Sequence, residues 1–292
     1  MNTFDALASG LYLEGLAVDY TNNAVWYSDV VGGGIHQRMP DGSVQSFNQN
    51  RMWTGGIMLN KDGSALSSGQ GGIMWTNPET GRSDWLINSI DGKPISGINE
   101  MSPDGFGGIY FGTSDLDNIV QGQMPNPSKI YRLSKTGELS LALKKIDFSN
   151  GLMLSSDGKK IYCNNTFHCC YAYDVTETGL TNERILSDKT DCDGLALDTE
   201  GNLWITGCRS SQILRIRPDG SPLENFDTPA GAVTQIRFGG KDMRDIYINA
   251  VSLESVKKLK SGEPLTSKDS LLYRTRSNIA GARIAYAEFD LK

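Results

Sequence analysis

Histidine is scarce in this chain, with two in 292 residues, His36 and His168. No stretch approaches the about 18 consecutive apolar residues of a membrane-spanning helix. No lysine- or arginine-rich run occurs, and 28 basic residues against 34 acidic ones leave a net charge of −6. That balance argues against a nucleic-acid or anionic-membrane partner. The first residues, Met1-Asn2-Thr3-Phe4-Asp5, carry neither a basic region nor an apolar stretch. No secretory leader is therefore expected, and the expected location is the cytoplasm. Cys-x-x-Cys is missing among the five cysteines, Cys163, Cys169, Cys170, Cys192 and Cys208, so a zinc ribbon is not expected. Their odd number predicts reduced thiols rather than a disulfide framework. Gly-x-Ser-x-Gly is absent, and so is the alternating βα pattern of an α/β-hydrolase, which leaves no Ser/His/Asp arrangement. Helical periodicity is nearly absent too, with one short candidate at 254–260. What is abundant is glycine, at 33 residues, while proline stands at an ordinary 10, so turns are the theme and not low complexity.

One pattern recurs along the chain. A polar or acidic residue opens a short apolar run, a turn of the Asp-Gly type follows, and a second run containing an aromatic comes next. Glu14-Gly15-Leu16-Ala17-Val18 leads to Asn22-Asn23 and Val25-Trp26-Tyr27. Asp193-Gly194-Leu195-Ala196-Leu197 leads to Glu200-Gly201 and Leu203-Trp204-Ile205. The pattern starts at 14, 54, 99, 150, 193 and 234, a spacing near the about 40–50 residues of a four-stranded propeller blade. A second series of turns, such as Pro40-Asp41-Gly42 and Pro218-Asp219-Gly220, falls between the starts. These features predict an all-β fold, a six-bladed β-propeller with four-stranded blades, as a single domain over 1–292. The alternating run 282–289 is expected to close the last blade, beside 271–275 or a strand from the N-terminal segment. The insert 252–270 is expected to overhang the axis as a rim or lid.

Inner strands of a propeller run outward from one face beside the central channel. Glu14, Thr54, Asn99, Asn150, Asp193 and Thr234 are therefore expected to converge there. The loops 30–34, 70–72, 116–128, 166–169, 209–212 and 252–270 share that face. Two carboxylates and two amides around one axis form an all-oxygen cluster suited to a hard divalent cation. Without a cation, Glu14 and Asp193 would repel, which raises a carboxylate pKa. Trp53, Phe167 and Met124 fall on the pocket side and point to a less polar substrate. His168, in the 166–169 loop, is a candidate to assist proton transfer; His36 has no assigned role.

Leu13-Glu14-Gly15, Asn99-Glu100-Met101 with Gly112-Thr113, Ser149-Asn150-Gly151-Leu152, and Cys192-Asp193-Gly194-Leu195 with Gly201-Asn202-Leu203-Trp204 follow one another in a specific order and spacing. Phe238-Gly239-Gly240-Lys241-Asp242 completes the series. In these motifs, across nearly its whole length, the chain resembles the family of senescence marker protein/regucalcin, gluconolactonase and luciferin-regenerating-enzyme-like proteins. The resemblance implies a central axial metal site with one divalent ion held by Glu14, Asn150 and Asp193. It implies that Asn99 touches metal or substrate and that Asp193 is the general base. Asp117 loosely matches an acidic substrate contact. Three departures stand out: Leu16 replaces a common Pro, Glu100-Met101 replaces Asp-Gly, and Gly97 stands where sugar-lactone members carry an Arg.

Together these readings predict a metal-dependent lactone hydrolase. Ca²⁺ is the expected ion, with Mg²⁺, Mn²⁺, Zn²⁺ and Fe²⁺ left open. Asp193 is the expected catalytic residue; Glu14, Asn99, Asn150 and Asp193 are the expected metal set; Asn99, Asp117, Trp53, Phe167 and His168 are the expected substrate contacts. The expected partner is a small lactone or ester, and the expected state a monomer or weak homo-oligomer. A metal-dependent esterase or phosphotriesterase-like hydrolase, and a non-enzymatic ligand-binding propeller with a structural ion, are the competing readings.

Overall fold

The computed structural model describes residues 3–292. Met1 and Asn2, on which the reading of the N-terminus partly depends, lie outside the described residues. The chain is all-β apart from two short helices, α1 (Leu116–Val120) and α2 (Leu253–Ser261). Local chemistry sets the turns. At Pro40-Asp41-Gly42, the Asp41 carboxylate accepts from the Ser43 N–H at 2.9 Å, and Gly42 takes φ of 92°, which a side chain would oppose. At Asp198–Asn202, the Asp198 carboxylate accepts from the N–H groups of Glu200 and Asn202 at 3.0 and 2.9 Å.

These turns stack antiparallel strands into small sheets in a propeller-like arrangement. Four sheets are separate and four-stranded, with inner strands Leu13–Val18, Thr54–Leu59, Gly97–Pro103 and Ser149–Leu154. The remaining inner strands, Cys192–Leu197 and Ala232–Gly239, belong to one eight-stranded sheet. The expectation of six separate blades is corrected on this point: the last two strand arrays are joined by a single residue pair, Gly207↔Val233. A small hairpin, Ser89–Ile90 with Lys93–Pro94, stands apart. The inner strands close a ring, each lying against the next, and Ala232–Gly239 returns to Leu13–Val18.

The hydrophobic core lies between sheets rather than within one. Met58, Leu66 and Trp75 of one sheet share a buried cluster with Ile98, Met101 and Phe111 of the next. Leu13, Leu16 and Tyr27 share another with Tyr247 and Leu272, which lie at the opposite end of the sequence.

Every inner strand carries a register irregularity near its start, between Leu13/Leu16, Thr54/Ile57, Ile98/Met101, Ser149/Leu152, Cys192/Leu195 and Val233/Gln235. The carbonyls freed there are met by side chains from the neighbouring strand array, a separate sheet in every case but Thr206. Ser28 Oγ donates to Gly55 O at 2.8 Å, and Ser68 Oγ donates to Asn99 O at 2.6 Å. Asn164 Nδ2 donates to Asp193 O at 2.8 Å, and Thr206 Oγ1 donates to Thr234 O at 3.1 Å. Asn249 Nδ2 closes the circle by donating to Glu14 O at 2.9 Å and Gly15 O at 3.0 Å. Only the third sheet differs: Gly112 stands at the matching position, and Ser149 Oγ fills the space its side chain would need.

Closure departs from the sequence expectation in a second way. The N-terminal strand Asp5–Gly10, not the run 282–289, pairs with Ser270–Arg276. The C-terminal run forms no strand of a sheet and crosses the far ends of the inner strands. There Ala282 and Ala287 N–H donate to Leu197 O and Leu59 O at 2.9 Å, and Glu288 N–H donates to Gly107 O at 2.8 Å. Its apolar residues pack on different clusters: partly buried Ile284 on one, partly buried Tyr286 on another, while buried Ala287 and Phe289 belong to a third. The alternation serves wedges between sheets, which the sequence pattern cannot tell from strand pairing.

Replacing Asn249 by Ala leaves two buried carbonyls without their donor. The expected loss is about 1–3 kcal/mol of unfolding free energy, read as a lower urea midpoint with an unchanged slope. Truncation after Ala280 is expected to abolish the cooperative unfolding transition followed by circular dichroism. A truncated chain with the native melting temperature would refute the wedge role of the C-terminal run.

Candidate functional site

The register irregularities that weaken the ladders also aim side chains at the axis, as bulges do. Glu14, Thr54, Asn99, Asn150 and Asp193 all line one cavity of about 380 Å³ at the starting ends of the inner strands. Thr234, the sixth of the converging set, does not: its Oγ1 is buried and donates to Leu13 O at 2.8 Å. The cavity is walled by loops from every side, including Tyr12, Trp53, Phe148, Phe167 and both helices, through Leu116 and Ile119 of α1 and Val256, Leu259 and Lys260 of α2. The insert expected to overhang the axis does so as α2.

Two aromatic wall residues are held in a backbone conformation unusual for them. Trp53 has φ of 54° and Phe167 has φ of 78°. Their neighbours fix that geometry: Trp53 N–H donates to Val30 O at 2.8 Å, and Phe167 N–H donates to Thr190 O at 2.7 Å. Strain of about 1–3 kcal/mol per residue is the usual magnitude for such positions, and it clusters at ligand sites. Phe148 and Phe167 face each other at 5.9 Å between ring centres, and Lys260 Nζ lies 5.6 Å from the Phe167 ring.

Charge at the floor of the cavity is unbalanced. Burial, then the neighbouring Asp193 and Glu100 carboxylates, push the Glu14 carboxyl well above its ordinary range. Asp193 is pushed up as well, first by burial, with the Asn150 amide opposing and Glu100 adding to the rise. Asp193 Oδ1 is buried and has no hydrogen-bond partner among the described residues. Among the described residues, no three His, Cys, Asp or Glu side chains cluster as a metal site would gather them. The donor set is instead two carboxylates and two amides, all oxygen, and this set with an unpartnered buried carboxylate oxygen fits a hard divalent cation. Cys208 also lines the cavity, and burial pushes its thiol up to about 12, so it stays protonated.

Below these residues lies a group that the sequence reading did not assign. Glu100 is buried against Arg237, at 3.5 Å, and against the Gln235 amide. Arg237 in turn donates to Leu195 O at 3.0 Å and Ile236 O at 2.8 Å. Glycines make the room: side chains at Gly56 and Gly194 would collide with the Glu100 carboxylate and the Gln235 amide. The available signal was a lone charge, Arg237, inside the apolar inner-strand run Ile236-Arg237-Phe238.

Two expected substrate contacts stand outside the cavity wall. Asp117 is exposed in the first turn of α1, where its N–H donates to Ser96 Oγ at 3.1 Å. His168 is exposed, with Nε2 3.4 Å from Asp147. Asp115 explains why the loop runs as it does: its carboxylate caps α1 and accepts from Asn118 Nδ2 and Asn126 Nδ2 at 2.8 and 2.6 Å. That capped turn keeps Asp117 on the solvent side.

The chain is 26% identical over 267 residues to a 6-deoxy-6-sulfogluconolactonase from Pseudomonas putida, covering 88% of each chain. It is 29% identical over 184 residues to the regucalcin of Danio rerio, a match over 57% of this chain and 60% of that one. In fold it is similar to a solved calcium-binding protein, regucalcin, from Agrobacterium tumefaciens, with a TM-score of 0.82 at 17% identity over 99% of this chain and 98% of that one. Residues 13–252 match the family described as SMP-30/Gluconolactonase/LRE-like region. Since that match spans well over half of the sequence, the chain belongs to the SMP-30/gluconolactonase/LRE-like family.

Proposed function

We propose that this chain is a lactone hydrolase that works with one divalent cation, with Asp193 as its general base. The observation that carries the reading is the pair of carboxylates on the floor of the cavity, half-buried Glu14 and buried Asp193, with Asp193 Oδ1 unpartnered. We take the eight-stranded sheet as two blades sharing one bridge, so that residues 1–292 form a single six-bladed domain. Lactonase relatives support the reaction class, and a calcium-binding neighbour in fold supports Ca²⁺ as the ion.

Glu14, Asn150 and Asp193, with Asn99 beside them, would hold the cation, which when bound supplies Lewis-acid polarisation of the lactone carbonyl. The chain's own residues do the rest. Asp193 accepts a proton from the attacking water at its carboxylate, a contribution of about 10²–10⁴ in rate. The water oxygen bonds to the carbonyl carbon, the ring C–O bond breaks, and the proton passes from Asp193 to the departing ring oxygen, which leaves a hydroxy acid. Asn99 orients the ring through its amide. Tyr12, whose phenol burial and Glu14 hold protonated, offers a donor on the same side. Five free, buried cysteines support a reducing compartment, the cytoplasm. No helix among the described residues is long and apolar enough to cross a membrane.

Screening lactones, aryl esters and a phosphotriester with and without chelator tests the reaction class. A lactone turned over only with added cation is the expected result. On the best substrate, Asp193→Asn is expected to lower kcat by about 10²-fold or more while the chain stays folded; a variant keeping a tenth of the rate would remove Asp193 as the base. Chelation is expected to lower the melting temperature, and Ca²⁺ at a hundredfold excess over Kd to restore about 2.7 kcal/mol. An unchanged melting temperature would contradict an axial cation.

A further inference from the structure

The cavity has one polar end and one apolar end. Its axial floor holds Glu14, Asn99, Asn150 and Asp193, while Ile119, Val256, Leu259 and Phe148 form the wall farther out. The two threonine hydroxyls of the lining are already engaged. Thr54 Oγ1 donates to Arg51 O at 3.1 Å, Thr166 Oγ1 donates to Cys192 O at 2.7 Å, and Lys260 lies over Phe167. Two positions before Asn99, Gly97 yields its side-chain space to Leu116 of α1, so nothing polar reaches the cavity from there. At the mouth, Met124 is 77% exposed and Phe167 38% exposed, large apolar surfaces that a protein ordinarily covers.

Hydroxyls of a polyhydroxylated ring that face Ile119, Phe148, Val256 and Leu259 would be buried against side chains that offer them no partner, a penalty for each one so placed. An alkyl chain meets no such penalty and gains from each methylene removed from water. We propose that the substrate is a γ- or δ-lactone with an alkyl substituent, its ring on the axial floor and its chain between α1 and α2 beneath Met124 and Phe167. The proposal rests on the lactone-hydrolase reading and names the substrate class of that site.

The test is kcat/KM over δ-valerolactone, δ-octalactone, δ-decalactone and D-glucono-1,5-lactone, with calorimetric binding of the matching non-hydrolysable δ-lactams. The expected result is a rise of about threefold to fourfold per methylene along the alkyl series, the factor that burying one CH₂ provides. Glucono-1,5-lactone is expected to fall at least tenfold below δ-decalactone. Ile119→Asn and Leu259→Asn are each expected to shrink the ratio of δ-decalactone to δ-valerolactone at least threefold. A flat alkyl series with valerolactone still turned over, or a preference for the gluconolactone, would overturn the proposal and leave the hydrolase reading standing. If no lactone is hydrolysed, the hydrolase reading falls. Lactam affinity that climbs with chain length then upholds the apolar half of the site, and affinity independent of chain length refutes it.

Discussion

The belt of buried donors between neighbouring sheets is the interaction on which the rest of this structure depends. An inner strand that bulges loses part of its own ladder, and a buried carbonyl without a donor is expensive. Ser28, Ser68, Asn164, Thr206 and Asn249 remove that penalty by reaching across from the adjacent strand array. Each such bond therefore does two things at once. It ties one sheet to the next at the narrow end of the wedge, and it stabilises the bulge that turns a side chain toward the axis. Stability and site geometry are coupled through the same atoms: Asn249 donates to the backbone of Glu14, and Asn164 donates to that of Asp193.

A ring built this way concentrates acidic groups where water is scarce. Burial raises the proton affinity of Glu14, Glu100 and Asp193; Asp193 and Glu100 raise that of Glu14 further, and Glu100 adds to that of Asp193. Arg237 answers only one of them, Glu100. The guanidinium is held by backbone carbonyls and the Gln235 oxygen, so it is fixed beneath the floor instead of reaching up to the other two. What remains in the cavity is a doubly acidic, amide-flanked floor, open toward a ligand that brings positive charge. Removing Arg237 alone would leave Glu100 as an uncompensated buried charge.

The apolar upper wall answers a different constraint. Both helices sit in long connections of the ring, and each is pinned by a cap: Asp115 for α1 and Ser252 for α2. Pinned connections on a rigid scaffold hold wall residues in place, and Val256 of α2 packs with Tyr12, Val30, Ala232 and Val251. The floor and the wall can therefore differ in chemistry, because the floor is set by the inner strands and the wall by inserts between outer ones.

Much of this was legible in the residues themselves. The repeat starts, the paired turns and the convergence of Glu14, Asn99, Asn150 and Asp193 follow from periodicity and from the topology that a propeller imposes, because each inner strand begins at the same face. Trp53, adjacent in sequence to the start at 54, and Phe167, in the 166–169 loop on the same face, likewise line the wall. Other features depended on contacts between residues far apart in the chain. Asp117 and Asp115 are two residues apart, and only the tertiary structure decides which carboxylate caps α1 and which faces solvent. The run 282–289 alternates as a strand would, yet three separate inter-sheet gaps take its apolar side chains, and the N-terminal strand Asp5–Gly10 closes the ring. Glu100 reads as a substitution in a motif, and its partner Arg237 lies 137 positions away, brought to it only when the inner strands meet at the axis. Sequence alone determined the period, the turns and the acid–amide set, since these depend on spacing along the chain. Pairing across the ring was decided by the tertiary structure, because a buried charge selects its partner by distance in space.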